Sequence, residues 1–261
     1  MAEDQVCDDD AGTTEVVVAA GIGVVSVSVS AGRVGRFGVA RRCSPRDVAT
    51  DESRLAVATA EDVLLRREGA FEPAGFGPAV AVGVRGGGVL AADGDGRIAR
   101  RDPGADAWTD VDTVDASVRA IDGSLVATDA GVYRVRGDGD DAAVEPAGLE
   151  AVNDVAARGP FAATDAGLYA LGNGWMQALG GRFGAVAAAS REHVYAAGEG
   201  FHRRRDGDWR AVELPTDETI ADVTVAERAY AITGVGTLLV GPEWRARSLG
   251  VGDVAGIAVV Q

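Results

Sequence analysis

Four aspartates lie in a recurring Asp-Val-Ala or Asp-Val-Thr triplet, and their side chains are the ones best suited to chemistry in this chain. They are Asp47, Asp154, Asp222 and Asp253. Carboxylates that converge on one point can hold a cation through oxygen ligands. Two carboxylates at a suitable separation can also supply the acid and the base of glycoside hydrolysis. The alternative is that each Asp caps a loop amide of its own repeat, a common role of Asp at turns.

A second group of carboxylates lies in tight turns between short apolar runs. Asp129 and Asp165 each belong to the sequence Thr-Asp-Ala-Gly, and Asp93 and Asp95 lie in a related turn. One hypothesis is a carboxylate-lined rim that recognises a ligand. The other is turn chemistry alone, since Asp and Gly readily adopt the backbone angles of tight hairpins.

Other catalytic and metal-binding patterns are missing from the sequence. The two histidines, His193 and His202, and the two cysteines, Cys7 and Cys43, do not form a zinc-binding pattern. There is no Gly-x-Ser-x-Gly turn for a nucleophilic serine. A phosphate-binding loop of the Gly-Lys type is excluded because the chain has no lysine. We therefore predict no catalytic set, no metal site and no cofactor.

The sequence repeats along the chain, and the repeats place these aspartates at recurring positions. Residues 126–133 and 162–169 match almost residue for residue, and their aspartates are 36 positions apart. Weaker copies occur on both sides, with turns at positions 21, 60, 93, 129, 165, 198 and 234. Each copy reads as a strand, a Gly-containing turn and a second strand, which is a hairpin signal. Seven copies with a period near 35 residues indicate a repeat architecture.

Two further recurring sequence features indicate that each repeat has four strands. An aromatic residue recurs about ten positions after most turns, at Phe71, Trp108, Trp175, Trp209 and Trp244. The aspartate triplets precede the hairpins and mark an innermost strand. Four short strands per repeat are typical of a propeller blade. We expect the tryptophans to fill space between blades.

The two ends of the chain complement each other. The chain ends at 253–260 with an innermost strand that lacks its hairpin, and it begins at Glu15 with a hairpin that lacks its innermost strand. The sequence thus predicts an all-β fold, a seven-bladed β-propeller of four-stranded blades, closed by the C-terminal strand completing the N-terminal blade. Closure removes an exposed sheet edge. The predicted propeller spans residues 15–261, and residues 1–14 are expected to form an acidic disordered tail.

The turns before the tryptophans resemble the Asp-box (BNR-like) repeats of sialidase-type and photosystem-assembly propellers, in a degenerate form. Examples are 101–108 and 204–209. Residues 15–261 also resemble a family of haloarchaeal single-domain β-propellers, on the strength of the Ala-Thr-Asp-Ala-Gly repeats and an acidic, lysine-free composition. These resemblances imply the fold and the source, and they imply no activity.

The amino-acid composition indicates the environment and the kinds of partner to expect for this protein. The net charge is −15, and all 25 basic residues are Arg. An acidic, lysine-free surface suits a protein that stays soluble in concentrated salt, and it argues against nucleic acid as a partner. No apolar run reaches the roughly 18 residues of a membrane helix. The N-terminus lacks the features of a signal peptide. We expect a cytoplasmic monomer with free thiols and no membrane partner.

The leading hypothesis for function is a non-catalytic binding or scaffolding propeller with a protein partner. It rests on regular blades, short loops and the missing catalytic set. The competing hypotheses are a carbohydrate-active enzyme and a binder of a cation or small molecule. Both would use the carboxylates at the mouth of the channel.

Overall fold

The computed structural model describes residues 12–52, 54–137 and 141–260. Its regular elements are 28 β-strands in seven four-stranded antiparallel sheets. Each sheet is one blade of a propeller, and we name its strands a to d from the central axis outward. The predicted seven-bladed propeller is confirmed.

The strands of the four classes have the following bounds. The a strands are β4 (Pro45–Thr50), β8 (Ala81–Arg85), β12 (Val118–Asp122), β16 (Val152–Ala156), β20 (Phe183–Ser190), β24 (Ile220–Val225) and β28 (Gly256–Val260). The b strands are β1 (Thr14–Ala20), β5 (Leu55–Thr59), β9 (Gly88–Ala92), β13 (Leu125–Thr128), β17 (Phe161–Thr164), β21 (His193–Gly198) and β25 (Ala229–Thr233). The c strands are β2 (Gly23–Ser30), β6 (Val63–Arg67), β10 (Arg97–Arg101), β14 (Gly131–Arg136), β18 (Gly167–Leu171), β22 (Phe201–Arg205) and β26 (Thr237–Val240). The d strands are β3 (Arg33–Arg41), β7 (Ala70–Pro73), β11 (Thr109–Thr113), β15 (Ala143–Gly148), β19 (Trp175–Gly180), β23 (Asp208–Ala211) and β27 (Arg245–Ser248).

We number the blades 1 to 7 along the chain. Blade 1 contains β1, β2 and β3, together with β28 from the C-terminus, and blade 7 ends with β27. The b strands are short apolar runs that are buried along almost their whole length, such as Leu-Ala-Val-Ala-Thr in β5. They are buried on both faces because each blade is covered by a neighbour on either side. The d strands are polar and mostly exposed, such as Arg-Ala-Arg-Ser in β27.

The hydrophobic core is divided into seven clusters, one between each pair of adjacent blades. The tryptophans contribute to four of these clusters, and each packs against the preceding blade. Trp244 of blade 7, for example, lies 4.8 Å from the ring of Phe201 in blade 6, in an edge-on arrangement. The indole N–H of Trp175 in blade 5 donates to the carbonyl of Ala147 in blade 4 at 2.7 Å. The structure therefore places the tryptophans between the blades, as the sequence predicts.

Closure of the ring occurs within blade 1. Strand β28 pairs antiparallel with β1, with Glu15 opposite Val260 and Ala19 opposite Gly256. The closure predicted from the two chain ends is confirmed. Thr14, which we expected in the tail, belongs to β1. The tail prediction for residues 1–11 falls outside the described residues and stays a prediction.

Candidate functional site

The central channel contains a concave cavity between the innermost strands of the blades. Its cavity has a volume of about 560 Å³ and is lined by the a strands, including Asp47, Asp154 and Asp222. Each of these aspartates follows a β-bulge near the start of its strand. A bulge re-aims the side chains next to it. The structure thus brings three of the four predicted triplet aspartates to one channel.

The three channel aspartates have the same hydrogen bonds. One oxygen of Asp222 accepts the N–H of the next residue, Val223, at 2.7 Å, and the other accepts the N–H of Ile257 in blade 1 at 2.8 Å. Asp47 joins blade 2 to blade 3 through the N–H of Val82 at 2.9 Å. Asp154 joins blade 5 to blade 6 through the N–H of Val186 at 2.7 Å. Each carboxylate therefore connects the a strands of two adjacent blades.

Burial has a clear effect on these carboxyls. They border the channel and keep partial access to solvent, but the surrounding strands desolvate them. This desolvation raises the pKa of Asp47 to about 7 and that of Asp222 to about 6, despite the backbone hydrogen bonds that act in the opposite direction. The pKa of Asp154 is raised well above its ordinary value by burial and by the negative charge of Asp222. The carboxyls are close enough to repel one another, and burial and repulsion both disfavour ionisation.

Sequence reasoning missed two aspartates that play the same part at the other end of the channel. Asp122 accepts the N–H of Ala157 in the next blade at 2.6 Å, and burial raises the pKa of its carboxyl. Asp51 accepts the N–H of Gly87 in the next blade at 2.9 Å. Neither belongs to an Asp-Val triplet. The available signal was their position at the end of an a strand, before a turn containing Gly or Ser.

Asp253 lies elsewhere. Strand β28 begins at Gly256, so Asp253 belongs to the preceding loop, where it is exposed and has a φ of 52°. By register, Gly256 occupies the position that Asp47, Asp154 and Asp222 take in their own strands. The triplet at 253–255 therefore matches the others in letters but is offset by three residues in the structure.

The turn aspartates lie at the b–c turns. Asp129 contacts the connection that leads into its own blade, whereas Asp165 contacts the a strand of its own blade and the connection that leads into blade 6. Asp129 accepts the N–H of Ser117 at 2.8 Å, and this bond holds the pKa of the Asp129 carboxyl below its ordinary value. Asp165 accepts from the Asn153 side chain at 3.0 Å and lies 3.7 Å from Arg182. These contacts stay within the blade of each aspartate and the connections next to that blade. They agree with the turn-chemistry alternative, and the recognition-rim role stays a prediction.

The residue that braces each of these turns is the threonine before the aspartate. The hydroxyl of Thr128 accepts the N–H of Ala130 and donates to the carbonyl of Gly131 at 2.8 Å. Thr59 and Thr164 make the same kind of contacts. In blade 3 the carboxylate of Asp93 takes this role by accepting two backbone N–H groups. Asp93 is therefore equivalent to the threonines and not to the aspartates that follow them.

In the described residues, no group of three or more His, Cys, Asp or Glu side chains is arranged to hold a metal ion. Cys43 is a free thiol, and burial raises its pKa. Cys7 lies outside the described part of the chain. Within that part, no helix has the length and apolar character needed to span a membrane.

The fold and its aspartate-linked channel define the molecule as a seven-bladed β-propeller. Comparison with protein families goes one step further, because residues 1–260 match the family described as HVO_0234-like β-propellers (Beta-prop_HVO_0234). The chain belongs to that family. No curated protein matches its sequence.

Solved structures show the same fold at low sequence identity. U3-55K matches with a TM-score of 0.66 and 13% identity, covering 97% of this chain and 93% of its own. The computationally designed protein Ika8 matches with a TM-score of 0.65 and 14% identity, covering 93% and 86%. YCF48 bound to a D1 peptide matches with a TM-score of 0.58 and 13% identity, covering 76% and 79%. At this identity the similarity shows the fold alone.

Proposed function

We propose that this protein is a non-catalytic binding or scaffolding propeller and that its partner is a protein. The observation that carries the proposal is the state of the channel carboxylates. In Asp47, Asp154 and Asp222, both oxygens accept backbone N–H groups, and one of the two bonds crosses to the next blade. A general acid or base must reach the proton that it transfers. These groups instead hold the ring together.

Two further features support a protein partner. The connections between strands are short, and the longest in the described residues is the eight-residue segment 212–219. Short connections leave little room for the loops on which catalytic residues usually lie. In addition, propellers commonly serve in protein–protein interaction, and one of the similar structures, YCF48, is bound to a peptide.

Affinity capture tests this proposal. The tagged protein is expressed in haloarchaeal cells and captured at native salt, with and without crosslinking, and its partners are identified by mass spectrometry. The control is the Asp47→Asn/Asp154→Asn variant, which alters the channel and leaves the blade surfaces unchanged. We expect a stoichiometric protein partner that both forms retain. Capture of no partner, even after crosslinking, would overturn the proposal.

A second candidate function is the binding of a cation or small molecule in the channel, and one observation favours it. The channel is a cavity of about 560 Å³ that is lined by carboxyls with raised pKa values. Carboxyls with perturbed pKa values concentrate at functional sites. A thermal-shift screen of divalent cations and simple sugars, with the same Asn variant as control, separates the two functions. A ligand that stabilises only the parent protein would support the channel function.

We further propose that the protein is a monomer in the cytoplasm of a salt-adapted archaeon. The acidic, lysine-free composition and the haloarchaeal family support this setting. Light scattering at molar salt and fractionation of the source cells test the two parts separately. A dimeric mass, or recovery with the membrane fraction, would contradict the corresponding part.

A further inference from the structure

The outermost strand of blade 1, β3, differs from the other d strands in length. It has nine residues, whereas the other six have four to six. Within the described residues β3 pairs with β2 on one side and is the last strand of its sheet on the other. An edge strand presents unpaired backbone N–H and C=O groups to which another chain can pair.

Most of the other d strands carry features that discourage such pairing. β7 ends at Pro73 and β15 contains Pro146, while β11 carries Asp110 and Asp112. β23 and β27 have only four residues each. Short length, proline and edge charges are the usual protection of exposed sheet edges. β3 contains no proline and is the longest of the d strands. Its charged residues are three arginines, which oppose pairing with a basic segment but favour pairing with an acidic one.

Apolar side chains are exposed on β3 and in two turns of blades 1 and 7. Phe37 and Val39 are 38% and 39% exposed, and they pair with the buried residues Val27 and Val25. Ile22 and Val235, in the b–c turns of blades 1 and 7, are 43% and 60% exposed. Four of the five large exposed hydrophobic residues in the described part of the chain therefore lie in blades 1 and 7. Phe37 and Val39 are two positions apart on the same strand, and neighbouring exposed apolar side chains of this kind mark interaction sites.

The charge of this region is opposite to that of the whole protein. Between Glu15 and Asp47 the chain has no acidic residue and contains five arginines, whereas the net charge of the protein is −15. Those arginines are Arg33, Arg36, Arg41, Arg42 and Arg46. In the described residues, none of the five forms an ion pair. By contrast, Arg66 and Arg136 are paired with carboxylates.

We propose that the outer edge of β3 binds an extended, acidic segment of a partner protein, which adds to blade 1 as a fifth strand. Backbone pairing of this kind supplies affinity, and side chains that alternate along the added strand supply specificity. Apolar residues of the segment would cover Phe37 and Val39, and its carboxylates would meet the arginines. This inference rests on the proposed function and names the partner's binding segment.

The register of β3 limits where the regular pairing occurs. β3 has two bulges against β2, and between them 37–39 pair in order with 25–27. The added strand would therefore be anchored at Phe37 and Val39. A second copy of this chain is a poor occupant, since two β3 edges would bring arginines against arginines, and like charges on facing strands are destabilising.

A direct binding measurement tests the inference. The probe is a fluorescent peptide of about ten residues in which Glu alternates with Val or Ile, which matches the length of a typical strand. Two comparison peptides have the same composition in scrambled order, or Lys in place of Glu. Fluorescence anisotropy is recorded with the full chain, Phe37→Ser and Arg36→Ser/Arg41→Ser. The matched control is Met176→Ser, because Met176 is 65% exposed on the d strand of blade 5. Thermal melts establish that each variant is folded.

We expect the alternating acidic peptide to bind more tightly than both comparison peptides. We also expect Phe37→Ser and the double Arg variant to weaken its binding by at least about tenfold, the scale of an interface hot spot, while Met176→Ser does not. Hydrogen exchange should show new protection of β3 amides on binding. Equal affinity for the three peptides, or equal binding by all variants, would overturn the inference.

Two further outcomes would also overturn it. The first is a dimer at working concentration that Phe37→Ser dissociates, which would make a second copy the occupant. The second is a large gain in peptide affinity on removal of residues 1–11, which would make the chain's own acidic segment the occupant. The proposed function is judged separately, by affinity capture. If Phe37→Ser captures the same partner as the parent protein, the proposed function stands and only the β3 inference fails.

Discussion

The channel and the outer edge of blade 1 differ in how far their polar groups are already satisfied. In the channel, Asp47, Asp154 and Asp222 each accept two backbone N–H groups and connect neighbouring blades. At the outer edge, β3 has exposed apolar side chains, and its arginines have no ion-pair partner in the described residues. The channel carboxylates therefore use both oxygens in hydrogen bonds within the ring, whereas the edge of β3 leaves apolar and cationic side chains exposed.

The largest expected effect comes from removing a channel carboxylate at the ring closure. Asp222→Ala leaves the N–H groups of Val223 and Ile257 without their acceptor. We expect a loss of about 2 kcal/mol of unfolding free energy at pH 5, since an unsatisfied buried donor costs about 1–3 kcal/mol. Urea denaturation measures it. The control is Asp253→Ala, an exposed position, where a change within about 0.5 kcal/mol is expected. Equal losses of unfolding free energy in both variants would show that the channel carboxylate contributes no more to stability than an exposed aspartate.

The pH dependence of stability should come from the channel and not from the edge. The folded-state pKa of Asp47 is about 7 and that of Asp222 about 6, above the ordinary value of 3.8. The folded state therefore binds more protons than the unfolded state between these values, and stability falls as the pH rises through this range. His193 opposes this trend, because burial and the charges of Arg205 and Arg203 lower its pKa.

Comparison with a variant that lacks two channel carboxyls separates their contribution to the pH dependence of stability from the contribution of His193. We expect the melting temperature of the parent protein, relative to that of Asp47→Asn/Asp222→Asn, to be higher at pH 5 than at pH 8. Calorimetry over this range at constant salt provides the measurement. Parallel curves for the two proteins would mean that these carboxyls titrate normally.

A smaller effect is expected at the ion pair that joins blade 1 to blade 2. Glu15 accepts from Ser26 and Arg66, each at 2.6 Å. Burial alone would raise the pKa of Glu15, but these two contacts together hold it below its ordinary value. Glu15→Gln should cost about 1 kcal/mol at pH 7, the upper end for a partly exposed pair. The loss should shrink below about pH 4, where the parent protein also loses the charge. An unchanged loss at pH 3 would show that charge is not its origin.

The smallest effect on stability is expected at the edge of blade 1. Arg36→Ser/Arg41→Ser removes two exposed side chains that make no ion pair within the described residues. The unfolding free energy should change by less than about 0.5 kcal/mol. A loss above about 1 kcal/mol in urea denaturation would show that these arginines support the fold, and it would blur the distinction between the two regions.

Much of the fold follows from the repeat. The matching segments at 126–133 and 162–169, the aromatic slot and the complementary chain ends predict the seven blades and their closure, and the structure confirms both. These signals are local, because each blade repeats the same strand and turn chemistry. The tryptophans were predictable for the same reason, since a large ring at the same place in several blades has to fill the space beside the neighbouring blade.

The sequence by itself determined the number of blades, the strand order and the presence of aspartates near the innermost strands. Only the tertiary structure decided which aspartates share the channel. Asp253 has the right neighbours in sequence but lies three residues before the equivalent position, and Asp122 has no matching triplet yet lines the channel. The sequence analysis also did not predict the exposed edge of β3. Register, burial and exposure depend on contacts between blades, and residues more than 30 positions apart in the chain make those contacts.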